Sequence, residues 1–356
     1  APDGALSVNY NGTLTLQSPD LTDYNMMNAA EKLQAEWMAG VYDKNSVTSM
    51  NRYNSLRRNV LAGVDSYWLS QPLRTAVQSR HSLTAAGGTE IFRYSLGVNA
   101  GFQPGVMKGS SNNTKGVDFT MSYRKQRVTV GANINLTETS GNNSPYGDFS
   151  AFSQANPYYR MTNDDGAYDQ ILDNFTAAGS TTVTNPLYNS NIGIKDLQRS
   201  LSIASSLNFE YMILDNLRLT ESLQYTRGTA RTERFLPADH TSFANETDKT
   251  LKGSYSKNTG ESTSWSSNLG LNYNLPINKH LISMLANWTV SEDRNNYVNL
   301  SATGYPDRHM DDFIFGNKMS TNPSGSESLS RSMSFIGQVS YSYDNRYSFD
   351  FNLSEE

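Results

Sequence analysis

The chain has 356 residues, enough for one large domain or two to three ordinary ones, so length alone leaves the architecture open. It carries no Cys, only 18% charged residues against about 25% in a typical soluble domain, 21 Tyr and a formal net charge of -5. These values exclude disulfides and thiolate metal sites, and they argue against a general nucleic-acid binder, which needs a basic stripe to neutralise phosphate. Mean hydropathy is -0.58. With so few charges, that polarity comes from neutral Ser, Thr and Asn side chains, which suits a surface wet on one side only.

No run approaches the roughly 18 apolar residues of a membrane-spanning helix. Strands dominate instead. In the first, 6–17, Leu6, Val8, Tyr10, Leu14 and Leu16 alternate with Ser7, Asn9, Asn11, Thr13, Thr15 and Gln17. A period of two puts one face in an apolar medium and the other in water. A stretch at 26–42 is helical, with Met26, Ala30, Leu33, Trp37 and Val41 on one stripe, Asn28 as N-cap and Gly40 near the end. It belongs to the first long loop, where its apolar stripe is expected to pack.

A weaker strand at 77–86 precedes one at 91–103, where Phe92, Tyr94, Leu96, Val98, Ala100 and Phe102 alternate with polar residues and glycines. Strands at 117–124 and 127–137 follow. The tract after them, Asn156-Pro157-Tyr158-Tyr159-Arg160 with Asn163-Asp164-Asp165-Gly166, sits in another long loop. Exposed aromatics beside an arginine could stack on a sugar or peptide, so Tyr158, Tyr159 and Arg160 are the candidate ligand contacts; the alternative is loop packing. The aspartate pair lacks the spacing of an EF-hand. The remaining strands fall at 200–213, 217–227, 263–275, 280–290, 331–343 and 346–353, eleven in all. Glu221 lies on the apolar parity of its strand; a bulge, a position near an interface and a different register remain open.

The connections alternate. Tight turns are expected at 87–90, 124–127, 214–216, 276–279 and 344–345, and long excursions at 18–76, 104–115, 138–199, 228–261 and 291–329. Short turns at one end and long loops at the other are the signature of an outer-membrane barrel. Tyr123, Tyr211, Tyr273, Tyr343 and Tyr347 all sit on the apolar face near tight turns, where amphipathic rings form a girdle at the membrane boundary. The fold class is therefore all-β: about eleven strands of a larger transmembrane antiparallel barrel, with long extracellular loops and a short loop helix.

Catalytic signatures are absent from the sequence. There is no H-E-x-x-H, G-x-S-x-G, Walker or G-x-G-x-x-G motif, and His81, His240, His280 and His309 are scattered. Neither an enzyme nor a cofactor is expected.

Particular strings narrow the class further. SVNYNGTLTLQ at 7–17 followed by MNAAEKLQAE at 27–36, the paired-glycine stretch 73–110, NPYYRMTNDDG at 156–166 and NPLYN at 185–189 resemble the SusC/RagA family of TonB-dependent transporters, in kind and in order. The resemblance implies an importer of about 22 strands with a plugged lumen, energised through TonB. It also implies a SusD-like surface lipoprotein over the barrel mouth, pairing of such complexes, and an oligosaccharide or peptide ligand. On this reading the plug and the TonB-contacting segment lie before Ala1 and further strands after Glu356. A passive porin, a surface adhesin and a soluble secreted carbohydrate-binding protein are the competing readings of the residues alone.

Overall fold

The computed structural model describes residues 4–176 and 180–355. Fourteen strands and three α-helices follow in chain order: β1 (Gly4–Gln17), α1 (Ala29–Met38), α2 (Val47–Leu61), β2 (Ala76–Gly88), β3 (Phe92–Phe102), β4 (Ser111–Lys125), β5 (Val128–Asn142), α3 (Phe149–Ser153), β6 (Ile171–Thr176), β7 (Ser180–Thr184), β8 (Lys195–Leu214), β9 (Leu217–Leu236), β10 (Ser254–Ile277), β11 (His280–Thr303), β12 (Lys318–Met319), β13 (Ser324–Tyr343) and β14 (Tyr347–Glu355). Eleven of the strands form one antiparallel wall in the order β1-β2-β3-β4-β5-β8-β9-β10-β11-β13-β14, with β12 added to β11; β6 and β7 pair separately. Each wall strand therefore pairs with its nearest neighbours in sequence. β1 and β14 pair on one side only among the described residues.

This up-and-down order follows from the connections. At one end the strands are joined by turns of two or three residues that tolerate left-handed backbone: Asn278 at φ 53° between β10 and β11, and Asp344 and Asn345 at 52° and 53° between β13 and β14. Asp and Asn adopt that region with little cost. Gly88, closing β2, has φ 141°, and a Cβ there would lie 2.2 Å from the Phe92 carbonyl oxygen, so only glycine fits that hairpin.

The alternating positions fall on opposite faces of the wall, as the period-two pattern requires. Apolar side chains of β3 to β13 stay accessible: Val98 is 47% exposed, Trp288 49% and Phe335 41%. Backbone groups are satisfied along the ladders, and this is the condition under which a sheet can present such a face to hydrocarbon. No helix is long and apolar enough to cross a membrane.

The long strands outrun their apolar segments. β10 and β11 each have 24 residues, about twice the 9–11 that a tilted strand needs to cross a bilayer. The strands read at 200–213, 217–227, 263–275, 280–290 and 331–343 are the apolar portions; the ladders continue beyond them to 195, 236, 254, 303 and 324. Past the hydrocarbon both faces are wet, so the alternation vanishes while the backbone pairing persists.

Glu221 stands on the apolar face. The β9–β10 register is continuous from Leu217 to Leu236, which removes the bulge reading. The carboxylate lies in register with Phe209 and Leu269 and accepts a 2.6 Å hydrogen bond from the Ser267 hydroxyl on the same face.

Candidate functional site

Closed packing occurs in the loops and at the outer ends of the long strands. The largest buried cluster joins α1, α2 and the connection between β5 and β8: Ala29, Leu33, Tyr42, Leu56, Trp68, Phe152, Tyr158, Tyr159 and Leu187. A second, smaller one joins the outer ends of β9, β10 and β11 to the following loop through Phe235, Tyr255, Ala302 and Tyr305. Together these clusters form an ordered layer at the loop end of the wall.

The first helix of this layer was legible. Asn28 caps α1 by accepting from the Glu31 amide at 2.9 Å, and Glu31 returns a bond to the Asn28 amide at 3.0 Å. Gly40, at φ +74°, follows the end. The stripe packs only in part: Leu33 is buried and Trp37 half-buried, but Met26, Ala30 and Val41 are exposed, and Ala29 beside the stripe is the second buried residue of the helix. α2 was missed, because among its fifteen residues only Leu56 is buried and its sequence shows no wide apolar stripe. It docks through Tyr53 and Val60 beside α1 and Tyr158.

Tyr158 and Tyr159 are 1% and 3% exposed, so their rings are not offered to a ligand, a correction to the stacking role read from the sequence. The segment from Asn156 to Tyr159 is taken up by packing and hydrogen bonds. Trp68 Nε1 donates to the Asn156 carbonyl at 3.0 Å, the Ser66 amide to Pro157 at 2.8 Å, and the Ser66 hydroxyl to Tyr159 at 2.6 Å. The Tyr158 hydroxyl donates to Glu36 at 3.1 Å, and Tyr42 donates to the same carboxylate at 2.7 Å. The Tyr159 hydroxyl and Arg52 Nε both donate to Asp173 Oδ2, at 2.9 and 2.7 Å. Arg52 also lies 3.5 Å from the centre of the Phe175 ring. Burial, with carboxylates close by, pushes both phenols above their ordinary range.

Asn185, at the start of NPLYN, is fully buried and bridges the layer: its Nδ2 donates to the Met161 carbonyl at 2.9 Å, and its Oδ1 accepts from the Leu187 amide at 3.0 Å. The two Asn-Pro strings singled out in the sequence thus build one core.

Arg160 is the exposed member of the tract. It reaches Asp164 at 3.2 Å and lines a polar pocket of about 270 Å³ with Asn59, Thr162, Asn163, Asp164 and Asp169. A larger recess of about 640 Å³ near the second cluster is lined by Lys249, Lys252, Tyr305 and Phe315, which the sequence gave no means of grouping.

The polar face of the wall is a lattice of mostly neutral Asn, Ser, Thr and Gln groups with a few charges such as Asp118 among them. Asn99 Nδ2 donates to Asp118 at 3.1 Å, Asn135 donates to the other oxygen of that carboxylate, and Ser222 donates to Asn208 at 2.9 Å. Asn268 donates to Thr289 at 3.0 Å. The described residues hold no group of three or more His, Cys, Asp or Glu placed to bind a metal ion. The five tyrosines Tyr123, Tyr211, Tyr273, Tyr343 and Tyr347 lie on the opposite, apolar face near the short turns, with Tyr343 directly across from Tyr347 and His280.

No family model and no curated protein matches the chain. Solved structures do. The RagAB peptide importer in its open-open state matches 99% of this chain at a TM-score of 0.74 and 17% identity, and its closed-closed state matches 98% at 0.73 and 17%. A further structure of the RagAB peptide transporter agrees equally, at 0.73 over 98% of the chain. The chain spans about 42% of the length of the chains it matches. The fold is thus that of an outer-membrane β-barrel wall, continuous over almost every residue. It is the wall fold seen in the RagAB structures, and it is the fold that the sequence strings resemble.

Proposed function

We propose that the chain forms the wall and outer loops of an outer-membrane importer that takes up a polar oligomer, an oligosaccharide first and a peptide second, with energy delivered through TonB. The observation that carries this reading is the alignment of 98–99% of the chain with the RagAB importer structures, loops included. The polar face supports the ligand class. Its Asn, Ser and Thr side chains offer many neutral donors and acceptors, which suit hydroxyl or amide groups more than a strongly charged solute.

A SusD-like lipoprotein over the barrel mouth, and pairing of such complexes, belong to the same proposal; the loop layer is the surface at that end. Arg160 and its pocket are the ligand contact carried forward, and Tyr123, Tyr211, Tyr273, Tyr343 and Tyr347 form the periplasmic girdle in outer-membrane lipid. The reading involves transport with no bond chemistry and no cofactor. The peptide alternative draws on what RagAB is described as importing.

Uptake by cells expressing the full-length transporter tests it. Accumulation of labelled oligosaccharides that stops when TonB is deleted supports the reading. Selective accumulation of peptides moves the assignment to the second ligand class, and accumulation independent of TonB contradicts active import.

A further inference from the structure

Along β4, β5, β8 to β11 and β13 the apolar face ends at a row of charged or polar positions, the first outward-facing residue beyond the band on each of these strands: Lys115, Glu138, Arg199, Arg227, Thr263, Glu292 and Arg331. On two flanks the charges oppose each other with opposite sign. Lys115 lies directly across from Glu138, and Glu292 across from Arg331, whose Nε donates to it at 2.7 Å. Between those flanks the pattern breaks. Arg199 on β8 lies directly across from Arg231 on β9, and Arg227 sits on the same face two outward positions nearer the apolar band.

Arg231 has a partner, Glu233 at 2.6 Å, but that carboxylate also takes Lys195 at 2.5 Å. Arg199 and Arg227 are exposed, and no carboxylate pairs with either among the described residues. Glu138 and Glu261 are their acidic neighbours, one residue pair along the ladders, opposite Leu201 and Thr229. Like charges directly across a strand pair destabilise it unless an anion lies between them. Immediately inside this cluster, toward the hydrocarbon, Tyr225 is paired with Trp265 on the same face, both about 40% exposed. Amphipathic rings at that level mark the headgroup boundary.

The side of the membrane follows from the connections. The cluster lies at the long-loop end of the strands, which in such barrels is the extracellular end. Guanidinium groups match phosphate oxygens in a bidentate fashion and lie less deeply hydrated than ammonium. We propose that Arg199, Arg227 and Arg231 hold the phosphate of an outer-leaflet glycolipid against the wall, its acyl chains running down past Tyr225 and Trp265. The inference rests on the outer-membrane placement of the wall and is independent of what the transporter imports.

The test uses the full-length protein purified in mild detergent, with phosphorylated lipid A and its enzymatically dephosphorylated form as probes in a native mass-spectrometric titration. The native protein is expected to prefer the phosphorylated lipid by about tenfold or more. The preference is expected to vanish in R199Q/R227Q and to persist in R199K/R227K and in the control R331Q. Heat-modifiable migration on gels confirms that each variant is folded. Equal binding of the two lipids by the native protein, or an unchanged preference in folded R199Q/R227Q, overturns the proposal. Loss of all detergent dependence would instead remove the membrane placement itself.

Discussion

Arg52 shows how a loop layer is fastened at the scale of one residue. Its Nε lies 2.7 Å from Asp173, with both side chains about 15% exposed, and its guanidinium covers Phe175. Removing one partner of such a pair leaves the other charged and poorly hydrated, at a cost of about 3 kcal/mol. Arg52→Ala is therefore expected to open the 156–176 segment to limited proteolysis while the wall stays resistant; equal resistance of both would contradict the fastening role. His240 gives the layer a pH dependence. Burial, with Arg234 adding to it, lowers its pKa from the ordinary 6.5 to about 4, and its Nδ1 accepts from the Ser242 amide at 3.1 Å. Because the folded value is depressed, the unfolded loop takes up the proton first. The contribution is full above about pH 6.5 and declines as pH falls toward 4. Amides in 240–244 should exchange faster at pH 5 than at pH 7 after correction for intrinsic rates. His240→Asn, which keeps an acceptor but cannot titrate, should remove that difference. Loop packing of the tyrosine pair was one of the readings the sequence allowed, but its partners were not legible: a buried tyrosine pair reads the same as an exposed one, and the acceptors of Tyr158 and Tyr159, Glu36 and Asp173, lie 122 and 14 residues away.

At the scale of the element, the faces of a strand have opposite tolerances. Leu269 lies in the middle of the apolar segment of β10, and Asn268 points to the other side, where it donates to Thr289. An arginine at the middle of a lipid-facing band costs about 2–4 kcal/mol. Leu269→Arg should therefore sharply reduce the amount of folded protein in the membrane, and Asn268→Arg should leave it nearly unchanged, both read as the heat-modifiable fraction on gels. Equal losses would mean that the two faces are not in different media. The strands themselves were legible because this difference writes a period of two into the sequence. Their outer ends were not, since from Ser291 outward along β11 both faces meet water and Asn295, Asn296 and Tyr297 carry no alternation. The hairpin of β6 and β7 and the helix α2 escaped for the same reason: they are held by a few tertiary contacts, with no continuous apolar face of their own.

For the whole molecule, the wall carries two one-sided strands. β1 pairs only with β2 and β14 only with β13 among the described residues, and the exposed apolar side chains Leu14, Leu16, Phe349 and Phe351 lie on them. Such edges recruit other chains. Residues 1–356 alone in water are expected to aggregate, and a monodisperse, cooperatively unfolding monomer without detergent would contradict the membrane reading. Cysteine scanning, on a background with any cysteine outside residues 1–356 replaced, measures the central claim directly, that one face lies in lipid and the other in a wet lumen; residues 1–356 themselves contain no Cys. Single cysteines placed in turn at 265–273 of the full-length protein, labelled with a fluorophore and exposed to lipid-borne and aqueous quenchers, should alternate. Odd positions should be quenched from the lipid and even positions from water. Uniform aqueous quenching at all nine positions would contradict the account.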